Sequence, residues 1–369
     1  MKENSCFEIT SQSGDARTGV FKTKHGAVET PFFMPVATRA SGKYISSDDY
    51  ISMNAKAIIS NAFILSLRPG LEVIKEHGGI HNFMSYKNII FTDCGGFQML
   101  RPSMIINNTS VEGIYFLNPF DNKKILVTPK GIMDIQKTIG ADVIMALDNV
   151  IPYGNDERSV EWAMHLSHKW ERICKQHYNG DQLIFGICHG GTYAKLRKKS
   201  SEIINNLSFD GNAIGGLCIG EPKEKMLEMV GIATKIFDKN KPRYLMGVGS
   251  PEDILDMVGM GVDIFDSIYP TRNARHGTLF TWKGRVYIDR IKYSGDTKPI
   301  DEECDCFVCR NYSRSYLNHL FKIEEPIVKR YVSYHNLYFI QRFMERIRLE
   351  IRENNFEKFK QEFSQLFKR

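Results

Sequence analysis

Seven short runs rich in Ile, Val and Leu recur between longer amphipathic stretches, and six of them lead straight into an acid, a histidine or glycines. The runs are Ala57-Ile58-Ile59-Ser60, Asn88 to Thr92, Asp142 to Leu147, Leu183 to Ile187, Asn212-Ala213-Ile214, Arg243 to Met246 and Val262 to Phe265. After the second comes Asp93, after the third Asp148, and after the fourth His189 with Gly190-Gly191. Gly215-Gly216-Leu217, Gly247-Val248-Gly249 and Asp266 follow the last three. Continuous apolar strands separated by helices predict a parallel sheet covered on both faces. Glu157 to His177 and Ala194 to Leu207 carry the clearest helical spacing among the connecting stretches.

Polar residues and glycines at the C-terminal ends of successive strands are where a TIM barrel keeps its active site. A doubly wound open sheet also binds ligands there. The number of runs, and the lack of an early dinucleotide fingerprint, favour an α/β fold of the (β/α)8 TIM-barrel type. Any single strand-end Asp or Gly is an ordinary turn or cap residue. Several acids together with three glycine clusters point to a site.

Composition sets the frame for that reading. With 369 residues, 42% hydrophobic, the chain can bury a core large enough to need no disulfides. Five of its eight cysteines are scattered, unlike a disulfide framework. The absence of an apolar leader and of a long apolar run predicts a cytoplasmic protein with no membrane partner. A net charge of +6 permits a polyanionic partner without demanding one.

Cys304, Cys306 and Cys309 do cluster, and His335 follows at C-x-C-x2-C-x25-H spacing. Three thiolates and one imidazole would close a tetrahedral shell around a structural Zn2+ and leave no open position for a substrate water. His319 is also near enough in sequence to serve, so spacing alone does not fix the fourth ligand. Asn336-Leu337-Tyr338-Phe339, just after His335, reads as the start of a helix that docks on this subdomain.

In this order the segments resemble the tRNA-guanine transglycosylases, especially the bacterial-type enzymes of queuosine formation. The resemblance runs from about Gly19 to the C-terminus. It is carried by Thr92-Asp93-Cys94-Gly95-Gly96-Phe97-Gln98, by Ile144 to Asp148, by Ala213 to Leu217 with Gly220-Glu221, and by Tyr244 to Gly249. Phe265-Asp266-Ser267, Pro270 to Arg275 and the Cys/His signature are its most specific parts. What it implies is one transglycosylase domain over residues 1–369, with a zinc-binding subdomain at about 300–340, and a homodimer.

The resemblance also implies roles. Asp266 would be the nucleophile on the ribose and Asp93 the general acid/base. Asp148 would read the guanine edge, with His189, Glu221 and the backbone at Gly216 and Leu217 completing the pocket. Phe97 and Met246 would sandwich the base, and Arg272 and Arg275 would hold the anticodon loop. The partners would be a tRNA with a wobble guanine and a free 7-deazaguanine base.

Four departures from the family's usual pattern matter. His189 stands where Gln is usual, and Cys94 where Ser is. Asn61-Ala62-Phe63-Ile64-Leu65 lacks the Thr-Tyr-His that usually follows the Asn, which predicts a missing polar support for Asp93. Val150 resembles the eukaryotic queuine enzymes, whereas Ile219 is bulkier than their glycine. Glu221 would accept an aminomethyl cation, so 7-aminomethyl-7-deazaguanine is the favoured incoming base. Queuine salvage, or action on another guanine in tRNA or DNA, is the alternative.

Overall fold

The computed structural model describes residues 5–95, 105–118 and 120–367. Eight parallel strands form its centre: β1 (Phe32–Met34), β2 (Ala57–Asn61), β3 (Ile89–Asp93), β4 (Val143–Met145), β5 (Leu183–Cys188), β6 (Gly211–Ile214), β7 (Arg243–Leu245) and β8 (Ile264–Asp266). From β2 to β8 the spatial order follows the chain, and β8 pairs with β1, Asp266 lying opposite Met34. The seam between β1 and β2 is bridged by Val36 and Ile59, with the Ala37 N–H donating to Ile59 O at 2.7 Å. The sheet thus closes on itself as the expected barrel.

Seven of the strands coincide with the apolar runs. The eighth, β1, is only three residues long and sits between Pro31 and Pro35, too short to show a period. Two predicted helices form as read: α1 (Glu157–His177) and α2 (Ala194–Asn206). The Asp156 side chain caps α1 by accepting from the Ser159 N–H, and Val160, Ala163, Met164, Trp170 and Cys174 bury its inner stripe.

The floor of the barrel has no counterpart among the apolar runs. A three-stranded antiparallel sheet, Phe7–Ser13, Ala16–Thr23 and Gly26–Thr30, covers the N-terminal end of the barrel. Phe21 inserts from it, with its ring centroid 6.2 Å from Phe32, 5.9 Å from Phe91 and 6.1 Å from Phe185. Burying such a ring contributes roughly 1.5–3 kcal/mol. Arg17 grips Asp263 with two parallel hydrogen bonds, Nε to Oδ1 at 2.9 Å and Nη2 to Oδ2 at 2.6 Å, and so fixes the floor to the start of β8.

After β8 come a short helix α3 (Tyr269–Arg275) and, much later, the long helix α4 (Pro326–Arg352). The expectation of a helix starting at Asn336 is corrected here. Pro326 opens α4, where a missing N–H costs nothing, and Asn336 lies in its interior. The Asn336 amide donates to Pro270 O and Thr278 O, both at 3.0 Å, tying α4 to the segment after β8. No helix among the described residues is long and apolar enough to cross a membrane.

Candidate active site and metal centre

Asp93 and Asp266 stand at the C-terminal tips of β3 and β8, with β1 and β2 between those strands in the barrel wall, and Asp148 lies three residues past β4. All three line one cavity of about 540 Å³, within the usual range for a small-molecule site. Gly216, Leu217, Met246 and Arg272 line it as well, as do Val150 and Ile219. Phe97 lies outside the described residues. Both glycines after β6 are there for steric reasons. A Cβ on Gly215 would stand 2.6 Å from Ile187 Cγ2, and Gly216 has a φ of +67°, so the chain can turn closely past the cavity.

Asp93 is not without support. Burial pushes its carboxyl up to about 8, and the neighbouring charges of Asp266 and Asp148 add to the rise. The Gly95 N–H (2.9 Å) and the Asn61 amide (2.6 Å) both donate to Oδ1 and oppose it. Thus the support expected to be missing is supplied by Asn61 itself. Asp266 is also raised by burial, against the Tyr244 O–H, which donates at 2.5 Å, and the Gly247 N–H at 3.0 Å. Tyr244 was not read from the sequence. Its place at the centre of β7, one strand from Asp266, was the available signal.

Asp148 is held on both oxygens. The Cys94 thiol donates to Oδ1 at 3.2 Å, and His189 Nε2 stands 3.0 Å from Oδ2. The ring approaches out of line, so this second contact is an ion-pair separation without a formed hydrogen bond. Glu221 turns inward on its own loop, both oxygens accepting, from Cys218 N–H at 2.5 Å and Ile219 N–H at 3.0 Å. It lines a smaller hollow next to the main cavity, together with His189, Gly216 and Ile219.

On the rim, Arg272 is exposed and Arg275 is half-buried on α3. Arg275 Nη1 is buried without a hydrogen-bond partner, and burial lowers the proton affinity of this guanidinium. Lys329 Nζ donates to Arg275 O at 2.9 Å, adding a third cation to this edge.

The Cys/His cluster lies away from the cavity. Cys304, Cys306 and Cys309 Sγ stand 3.8, 3.6 and 3.4 Å from His335 Nδ1. Tetrahedral bonds of about 2.3 Å to sulfur and 2.0 Å to nitrogen would set those separations at roughly 3.5 Å. His335 Nε2 donates to Phe280 O at 2.8 Å, which leaves Nδ1 as the lone-pair nitrogen. These four residues could hold a metal ion, and His319 is not among them.

A closed parallel barrel with carboxylates converging at its C-terminal mouth, and a separate Cys3His cluster that could hold a metal ion, defines the class of a barrel enzyme. The model of the queuine tRNA-ribosyltransferase family matches residues 11–369. The chain is 46% identical over 349 residues to the queuine tRNA-ribosyltransferase of Halothermothrix orenii, covering 94% of this chain and 93% of that one. It is 45% identical over 350 residues to that of Caldanaerobacter subterraneus (94% and 93% covered) and 43% over 359 residues to that of Bacillus licheniformis (97% and 94%). The chain belongs to the queuine tRNA-ribosyltransferase family: it is a pentosyltransferase of the base-exchanging type that acts in tRNA modification.

Proposed function

We propose that this enzyme exchanges the wobble guanine of tRNA for a 7-deazaguanine base through a covalent aspartyl-ribose intermediate. The observation that carries the reading is that two buried carboxyls, Asp93 and Asp266, line one cavity with different hydrogen-bond partners. Burial raises Asp93 to about 8, so it carries a proton to donate, while the Tyr244 O–H and the Gly247 N–H both donate to Asp266 and favour its anionic form against burial. An oxygen of Asp266 attacks the ribose C1′ and an ester bond forms. The C1′–N9 bond breaks, and its electron pair leaves with guanine, which takes the Asp93 proton. The incoming base then gives its N9 proton to the Asp93 carboxylate and attacks C1′. The ester breaks and its electron pair returns to Asp266. Two displacements preserve the anomeric configuration.

Asp148 reads the guanine edge by accepting from the ring N–H and the exocyclic amine. Adenine offers no such donor pair and would leave a buried carboxylate unpaired. Gly216 and Leu217 offer backbone groups, and Phe97 and Met246 sandwich the base. Arg272 and Arg275 hold the anticodon loop with the target base out of its stack. A Zn2+ at Cys304, Cys306, Cys309 and His335 would cross-link the subdomain at about 300–340 within the single domain 1–369, and it takes no part in the chemistry.

The favoured incoming base is 7-aminomethyl-7-deazaguanine. Glu221 puts an acid beside the cavity, and Ile219 narrows the wall where a larger substituent would go. Competition between this base and queuine tests the choice, and exclusive use of queuine would overturn it. A cytoplasmic homodimer completes the proposal, with sedimentation of the full chain as its check.

The reaction is tested by incubating labelled guanine with unmodified tRNA carrying a wobble guanine. Incorporation should vanish with Asp266→Asn, a loss of about 10⁴-fold or more. It should also vanish when that guanine is replaced. Incorporation that survives either change would sink the proposal.

A further inference from the structure

We propose that Ser167 is a positioning residue for base recognition: from a buried polar stripe of α1 it holds the main chain that carries Asp148, and losing its hydroxyl blurs the reading of the guanine edge. This rests on the reading of Asp148 as the group that meets the base.

The stripe consists of Ser167, Glu171 and Cys174, at the i, i+4, i+7 spacing that a helix covering a barrel normally fills with apolar side chains. All three are fully buried, where a polar group without a partner is costly. Each has a partner, and the partners are strand N–H groups.

The barrel wall explains why. The pairing of β4 with β5 ends at Met145 and Phe185, where the Ala146 N–H donates to Phe185 O at 3.1 Å. Past that point the N–H groups turn to side chains. After β4, the Leu147 N–H donates to Cys174 Sγ at 3.4 Å and the Asn149 N–H to Ser167 Oγ at 2.9 Å. Along and after β5, the Ile187 N–H donates to Glu171 Oε1 and the His189 N–H to Ser200 Oγ, both at 2.7 Å. Ser200 Oγ stands 2.9 Å from His168 Nε2, and His168 Nδ1 stands 2.8 Å from Glu171 Oε2. α1 is thus a wedge that takes over hydrogen bonding where the two strands part. Asp148 lies between the two N–H groups pinned on the β4 side.

That pinning matters because the Asp148 side chain is loosely tethered. The Cys94 thiol on Oδ1 is a weak donor, and the His189 ring approaches out of line. The carboxylate therefore takes its position from the main chain beneath it. Recognition of two base donors by one carboxylate requires placement within about 0.5 Å. The Ser167 hydroxyl is fully used, accepting from Asn149 while donating to Ala163 O at 3.0 Å. With alanine there, the Asn149 N–H loses its acceptor in a dry interior, and the chain beside Asp148 must shift to find another.

The test compares Ser167→Ala with Ser201→Ala in the metal-loaded full chain. Ser201 is the matched control on α2. It is equally buried, and its hydroxyl donates to Arg197 O at 2.8 Å, four residues back, as that of Ser167 does to Ala163 O. Among the described residues it accepts from no strand N–H. The readouts are KM and kcat for guanine exchange, and competition by hypoxanthine, which keeps the ring N–H but lacks the exocyclic amine. Ser167→Ala should raise KM for guanine about tenfold and hold kcat within about twofold. Its preference for guanine over hypoxanthine should fall about fivefold. Ser201→Ala should match the unaltered enzyme in all three while losing a similar amount of melting temperature. Unchanged KM and preference in Ser167→Ala, equal shifts in Ser201→Ala, or a fall in kcat without a rise in KM would each overturn the proposal. Should Ser167→Ala not fold, Ser167→Cys, which keeps a weak acceptor, should show the same shifts at smaller size, and their absence would overturn it equally. Asp148→Asn separates the two layers. If it leaves the preference unchanged, the role of Asp148 fails; if it abolishes the preference while Ser167→Ala behaves as Ser201→Ala, only the wedge fails.

Discussion

At the N-terminal end of the barrel, Asp142 accepts from His25 Nδ1 (2.8 Å), His81 Nε2 (3.0 Å) and the Ile90 N–H (2.9 Å). At the C-terminal end, Asp93 accepts from one amide side chain and one backbone N–H. Burial raises both carboxyls. At Asp142 the hydrogen bonds from His81, Ile90 and His25 prevail and hold it at about 2, whereas at Asp93 burial and two like charges prevail and it reaches about 8. The same side chain is thus a clamp at one end of the strands and a proton donor at the other. What differs is the number of donors and the sign of the neighbouring charge, not depth alone. Arg17 also grips Asp263 beneath β8, below the proposed nucleophile, although burial there still raises the carboxyl.

The largest expected effect separates the ends by kinetics. Asp93→Asn should lower kcat for guanine exchange by about 10²- to 10⁴-fold and leave the melting temperature nearly unchanged. In the unaltered enzyme, activity should decline as pH rises through about 8, because the acid form of Asp93 is lost there. A kcat that keeps rising above that pH would remove Asp93 from the role of acid.

Metal removal comes next. Cys306→Ser should destabilise the fold by several kcal/mol, on the order of 3, by opening a closed tetrahedral shell. Chelation should lower the melting temperature of the unaltered protein and have little further effect on the variant. An enzyme that keeps its melting temperature without metal would show the cluster to be dispensable.

Asp142→Asn should cost roughly 2 kcal/mol at neutral pH, with kcat retained at low temperature. Its folded carboxyl is depressed to about 2, below the ordinary range near 3.8. That stability is therefore present in full above about pH 4 and lost as pH falls through about 2. Denaturant titrations should show the gap between variant and parent narrowing by roughly half from pH 7 to pH 3, and a gap that stays constant would break the clamp side of the comparison. The smallest effect belongs to Asn61→Ala, which removes one hydrogen bond from Asp93 and should shift the alkaline limb upward by under about one pH unit, or roughly 1 kcal/mol. No shift would mean that Gly95 alone holds Asp93.

Legibility followed the length of the signal. Seven strands were visible as apolar runs, because a strand buried on both faces needs unbroken Ile, Val and Leu. Phe32–Met34 was not, since three residues between prolines have no period. The floor sheet was hidden for another reason: its inward residues, Phe7, Phe21 and Val28, alternate with polar ones in a segment that carries no chemistry. In the site, the acids were legible because they end strands. Their partners were not. Asn61 looked like a remnant of a lost motif, and only the register of β2 against β3, Asn61 opposite Asp93, gives it a purpose. Spacing left His335 and His319 both open as the fourth ligand, and the place of His335 inside α4 was hidden, because the helix begins at a proline nine residues earlier.

The closing pair of the barrel joins Phe32–Met34 to Ile264–Asp266, partners more than 230 residues apart in sequence. On a ribosome that adds roughly 5–20 residues each second, the first strand waits about 10–50 seconds for its neighbour to be made. Throughout that interval the edge of β1 that faces β8 is unpaired, a period in which chaperone capture or premature association competes with folding. Asp266 sits on the strand that ends the wait, so no nascent chain has its proposed nucleophile in place before the barrel is shut.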